Sequence, residues 1–133
     1  MNTPQPPIIT AFERSPDGGR GLARDTRVRW ALEELGLGYE VETLTFARDS
    51  IRSETYLVKN PHGLVPTLED GDAVIFESGA ILEHLAEYHD PGGLLLPKDS
   101  AGRATVRSWM HWAEASASPA ISDYIGHTSA RPE

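Results

Sequence analysis

Apolar residues along this chain change their period several times, and each change marks an element. Residues 8–12, IITAF, are an almost unbroken apolar run of strand length, suited to a sheet interior. Residues 13–21, ERSPDGGRG, then break the pattern with Pro16, Asp17 and three glycines, and read as a loop. A helix follows from Leu22 or Ala23, with Asp25 and Thr26 as alternative caps. Val28, Ala31, Leu32 and Leu35 recur at i, i+3, i+4 and i+7, and Gly36 closes the helix. Residues 39–44 form a second strand. Strand, helix, strand in that order is a right-handed crossover unit, so the two strands run parallel. Residues 45–58 are polar, with a short helix expected over 53–58 that stops before Asn60-Pro61. Two short runs, 67–70 and 73–76, flank Gly71-Asp72 and predict an antiparallel hairpin. A helix opens at Glu77 and Ser78, with Ile81, Leu82, Leu85 and Tyr88 along one face.

Beyond it, residues 90–99, DPGGLLLPKD, read as a linker. A third long helix starts after Asp99 or Ser100. Val106, Trp109, Met110, Ala113 and Ala117 give it a large apolar stripe, and Pro119 is expected to bend or end it. Residues 1–7 carry three prolines and read as a loose arm, and residues 120–133 have weak periodicity.

A chain of 133 residues with 39% apolar content is large enough for one domain with a core and a little more. The net charge of -8 argues against nucleic-acid binding, and no apolar run approaches the ~18 residues of a spanning helix. A cytoplasmic protein without membrane contact is the expectation. Cysteine is absent, which excludes disulfides, thiolate metal sites and a cysteine nucleophile. The hairpin feeding directly into a helix is the chemically suggestive feature. It puts unpaired helix N–H groups at the end of a sheet, where an anion is favoured.

The stretch 60–87, NPHGLVPTLEDGDAVIFESGAILEHLAE, together with RVRWALEELGL at 27–37, resembles the N-terminal half of cytosolic glutathione transferases. The resemblance implies an α/β fold, a thioredoxin-like mixed four-stranded sheet flanked by helices, followed by the first helix of an incomplete all-α domain. It divides the chain into a glutathione-binding domain at 8–89, a linker at 90–99 and a truncated helical domain at 100–133. It also implies a cis Val65-Pro66 bond, with Leu64, Val65 and Pro66 against the cysteinyl part of glutathione. Glu77 would then hold the γ-glutamyl amine and Ser78 the γ-glutamyl carboxylate, a charge assignment that the helix start itself supports. The implied activity is conjugation of glutathione, as substrate, to a small hydrophobic electrophile. An amphipathic third helix without its usual bundle wants a partner, and a homodimer is the expectation. A non-catalytic binding or dimerisation module on the same fold is the alternative.

The group that stabilises the thiolate in this family stands after the first strand and is Tyr, Ser or Cys in most classes. Here the corresponding positions fall near 22–24, LAR, and cannot serve in that way. Four candidates remain: Ser15 in the loop, Thr26 near the helix start, and the cations Arg20 and Arg24, since positive charge lowers a thiol pKa. Between residues 14 and 29 five arginines face two aspartates, a local +3 in an acidic chain, which would steer an anion such as glutathione. Glu83, His84, Glu87 and His89 on the second long helix read as an ordinary helix surface, and no metal is expected. The EDGD turn at 69–72 lacks calcium-loop spacing, and GGRG at 18–21 lacks the ending of a phosphate loop.

Overall fold

The structure is a computed structural model; it describes residues 5–14, 23–45 and 47–129, apart from the side chains of residues 48 and 127–129. The chain divides into two compact units, Met1–Pro91 and Gly92–Glu133.

The first unit contains β1 (Ile8–Phe12), α1 (Asp25–Glu34), β2 (Glu40–Leu44), α2 (Arg48–Ile51), α3 (Glu54–Lys59), β3 (Thr67–Asp70), β4 (Ala73–Phe76) and α4 (Ser78–Tyr88). Its sheet has the order β2-β1-β3-β4. β1 runs parallel to β2, with Ile9 opposite Val41, and antiparallel to β3, with Ile9 opposite Leu68. The predicted crossover and hairpin both form, the latter with Leu68 opposite Ile75 and the tight turn at Gly71, φ +59°. This mixed four-stranded sheet with flanking helices is the thioredoxin-like arrangement expected from the sequence.

Strand alternation decides what each face of the sheet does. Ile9, Ala11 and Leu68 share one face, and with Val28 and Leu32 of α1 and Ile81 and Leu85 of α4 they form the core. Each fully buried large aliphatic side chain contributes about 1.5–3 kcal/mol. Thr10 and Thr67 take the opposite face, also fully buried, and meet Tyr56 of α3.

Three local expectations are corrected. α1 begins at Asp25 with Arg24 as its N-cap residue, so neither Asp25 nor Thr26 caps it. Asp25 lies instead inside the first turn, where the helix dipole favours a carboxylate, and pairs with Arg29 at 3.9 Å. The polar stretch 45–58 holds a second short helix, α2, ahead of the one expected over 53–58.

The third correction concerns the second unit. It comprises α5 (Ser100–Trp112), a π-helical turn (Ala113–Ala117) and α6 (Ser118–Ser129). Asp99 caps α5 by accepting from the Gly102 N–H at 2.8 Å. Pro119 does not end the helix. The wider π turn just before it, in which the Ser118 N–H reaches Ala113 O, takes up the backbone disruption that a proline imposes. The third helix therefore runs on past Pro119 to Ser129. α5 has no buried residue, and Trp109 and Trp112, edge to face at 5.5 Å, are both more than half exposed.

Candidate ligand-binding site

A cleft of about 290 Å³ opens in the first unit, lined by Arg24, Asn60, Leu64, Val65, Pro66, Glu77 and Ser78. Its volume is at the low end of small-molecule sites, about 300–1,000 Å³. Three separate stretches of chain supply it: the N-cap of α1, the loop between α3 and β3, and the start of α4.

The loop is built from the inside. Asn60, buried at the C-terminus of α3, donates from Nδ2 to Leu64 O at 2.7 Å and accepts the His62 N–H on Oδ1 at 3.0 Å. Tyr56 donates its hydroxyl proton to the same Leu64 carbonyl at 2.7 Å. Behind it, Thr10 Oγ1 lies 3.2 Å from the Tyr56 hydroxyl and 2.8 Å from Thr67 Oγ1, and accepts the Thr67 N–H at 2.7 Å. Among the described residues no buried side-chain polar atom lacks a partner, so this network is satisfied. Gly63 makes the bend possible. Its φ is +60°, and a Cβ there would lie 2.5 Å from Ile51 O. The Val65-Pro66 bond that follows is cis, as the resemblance implied.

The third wall comes from the hairpin. Glu77, N-cap of α4, has φ +72° and ψ +122°, the one positive φ at a non-glycine among the described residues. Such a backbone costs about 1–3 kcal/mol. It lifts Glu77 to the exposed rim, and Ser78, 2% exposed, becomes the first residue of the helix instead of its cap. The first turn of α4 brings the positive end of an eleven-residue helix to the cleft.

The cleft thus gathers all five residues expected to hold the tripeptide, Leu64, Val65, Pro66, Glu77 and Ser78, and one of the four catalytic candidates, Arg24. Thr26 lies exposed in the first turn of α1, its N–H on Ala23 O at 3.1 Å, and does not line the cleft. Ser15 and Arg20 lie outside the described residues. Sequence reasoning missed Thr10, Tyr56, Asn60 and Thr67. Tyr56 carried a signal as an aromatic residue in a polar stretch, and Asn60 another by preceding a proline.

A mixed sheet of this order, with an inner loop ending in a cis proline and a helix start beside it, defines a glutathione-transferase-type domain. Residues 18–87 match the family described as Glutathione S-transferase, N-terminal domain. The chain belongs to the glutathione S-transferase family. Glutathione S-transferase 1 of Zea mays is 46% identical over 85 residues, 64% of this chain and 39% of that protein. A glutathione S-transferase-like protein of Beauveria bassiana is 37% identical over 97 residues, 71% of this chain and 44% of its own. Among solved structures, the theta class glutathione S-transferase of Xanthomonas axonopodis with glutathione bound superposes with a TM-score of 0.68 at 32% identity, covering 84% of this chain and 50% of that one. The chain spans less than half the length of these two curated relatives. Among the described residues no helix is long and apolar enough to cross a membrane.

Proposed function

We propose that the cleft binds glutathione and that the chain acts as a glutathione transferase on small hydrophobic electrophiles. The observation that carries this reading is the meeting of Val65, Glu77, Ser78 and Arg24 in one cleft. The Glu77 carboxylate suits the γ-glutamyl ammonium, and the Ser78 hydroxyl with the first N–H groups of α4 suits the γ-glutamyl carboxylate. The main chain at Val65 pairs with the cysteinyl residue. Arg24 supplies positive charge near the sulfur, which favours the thiolate. The bound thiol releases its proton to solvent, and the thiolate lone pair forms a C–S bond to the electrophilic carbon. Either a leaving group departs with its electron pair, or the adduct takes up a proton. The likeness to a Xanthomonas enzyme with glutathione bound supports the ligand.

Calorimetric titration of glutathione into the chain tests the site. Glu77→Ala and Ser78→Ala each weaken binding about 10-fold or more, as loss of one charge-assisted contact requires. Arg24→Ala leaves most of the binding but raises the pKa of the bound thiol, read from the pH dependence of thiolate absorbance. No binding by the unsubstituted chain removes the reading.

A second reading is a non-catalytic module that pairs through its helical unit, cytoplasmic and homodimeric. The bare stripe on α5, with Trp109 64% and Trp112 54% exposed, favours it. Binding without turnover of a model electrophile decides for the module. A Trp109→Glu, Met110→Glu variant with the same solution mass as the parent excludes that helix as its interface.

A further inference from the structure

The far end of the hairpin carries a second cluster that the cleft does not use. Asp70 ends β3, His84 lies in the second turn of α4, and His89 is the residue that closes α4. Oδ2 of Asp70 lies 2.8 Å from Nε2 of His84 and 2.6 Å from Nε2 of His89. One carboxylate oxygen is thus the meeting point of two imidazoles, and the three donor atoms all lie within 4.8 Å of one another. None of the three residues lines the glutathione cleft.

We infer that Asp70, His84 and His89 form a binding site for a divalent cation of the zinc class, which ties the hairpin to the end of α4. Two neutral imidazoles and a carboxylate are the donor set that suits Zn²⁺, Co²⁺ or Ni²⁺, and they disfavour Ca²⁺ or Mg²⁺, which want oxygen ligands throughout. A tetrahedral ion about 2.0–2.1 Å from each donor needs those donors roughly 3.3 Å apart. Two of the separations are shorter than that, because a hydrogen bond now fills each. Side-chain rotations that move the donor atoms by about 1 Å would seat the ion. In the free site each Nε2–H donates to Asp70 Oδ2; on binding, that proton is lost to solvent, the ring is neutral with its proton on Nδ1, and the Nε2 lone pair turns to the metal. The three side chains are 17–26% exposed, so the ion has an entry path and water completes its shell.

The cluster was hidden in the sequence for a simple reason. His84 and His89 are five apart on one helix, where they look like surface residues. Their third partner comes from a strand fourteen residues upstream of His84. Only the hairpin turn folds it back.

The test is a titration of Co²⁺ into the full chain without an affinity tag, at neutral pH, followed by visible d–d absorption and then by displacement with Zn²⁺. One Co²⁺ binds per chain, Zn²⁺ displaces it, and excess Zn²⁺ raises Tm by at least about 5 °C. His84→Gln and His89→Gln, each verified as folded by circular dichroism, lose affinity at least 10-fold. His111→Gln, outside the cluster, binds as the parent does. Absence of a d–d band at millimolar Co²⁺ overturns the site. So does a band of unchanged affinity in His84→Gln and His89→Gln, which would assign the metal to other histidines.

Discussion

Two kinds of polar cluster stabilise the first unit, and they differ in depth and in charge. Behind the loop that shapes the cleft, Thr10, Thr67, Tyr56 and Asn60 are all buried, carry no ionised group, and hold one another and the Leu64 carbonyl at hydrogen-bond distance. Around the sheet's periphery the clusters contain titratable groups and are partly exposed. Lys59 on α3 reaches Glu42 of β2 at 2.8 Å and Glu69 of β3 at 2.6 Å, and Asp70 gathers His84 and His89. The inner cluster fixes geometry that a ligand depends on, in a place where an unmade hydrogen bond is expensive. The outer clusters are cheaper to lose and respond to pH or to ions. The lesson is that charge has been kept away from the part of the scaffold that must stay in one shape.

Substitutions at four positions sharpen this contrast, beginning with the largest effect. Gly63→Ala forces a Cβ onto the Ile51 carbonyl at a positive φ, and is expected to cost about 2–4 kcal/mol in chemical denaturation, with loss of glutathione binding. Thr10→Val removes the acceptor of the Thr67 N–H and the partner of two buried hydroxyls. It is expected to cost about 2 kcal/mol and to weaken ligand binding, although Thr10 does not line the cleft. Equal binding by this variant would show that the network serves stability alone.

Glu77 separates backbone from side chain. Glu77→Ala and Glu77→Gly both delete the carboxylate and should lose glutathione alike. Because glycine accepts the positive φ, the Gly variant should be about 1 kcal/mol more stable than the Ala variant. Lys59→Met tests the outer clusters. With Glu42 42% exposed, solvent screening limits the expected cost to about 0.5–1 kcal/mol near neutrality. Burial works against the charge on Lys59, but its hydrogen bonds to Glu42 and Glu69 raise its pKa above the ordinary lysine value of 10.5. The stabilisation is therefore complete below that value and lost as pH rises through the folded-state pKa. The gap between parent and Lys59→Met should hold from pH 7 to 10 and close at higher pH. A gap that closes below pH 10 instead would mean that the lysine is not the group responsible.

What the sequence made legible was local. The hairpin, the helix start at Glu77-Ser78 and the face of α1 with Val28, Ala31 and Leu32 depend on residues within a few turns of one another, and each appears where its pattern predicted. The supporting network was not legible, because Thr10 and Thr67 are fifty-seven residues apart and meet only when β1 and β3 pair. A threonine in an apolar strand signals nothing until its neighbour strand is known. The stop expected as one outcome at Pro119 failed for the opposite reason. Its local rule was sound, but the π turn over Ala113–Ala117 supplied a compensation that no spacing encodes.

The doubly bonded Leu64 carbonyl fixes more than the position of a loop. A peptide unit is planar, and across the trans link between Leu64 and Val65 the carbonyl and the next N–H point in opposite directions. Tyr56 and Asn60 draw the oxygen inward, so the Val65 N–H is turned outward with no freedom to rotate away. On the proposed reading this donor meets the cysteinyl residue of glutathione. Recognition at that point is then blind to which side chain stands at position 65. It is sensitive to a phenol and an amide that never touch the ligand's sulfur. Exchanging Val65 for isoleucine would pass unnoticed, whereas trimming one oxygen from Tyr56 would loosen the grip.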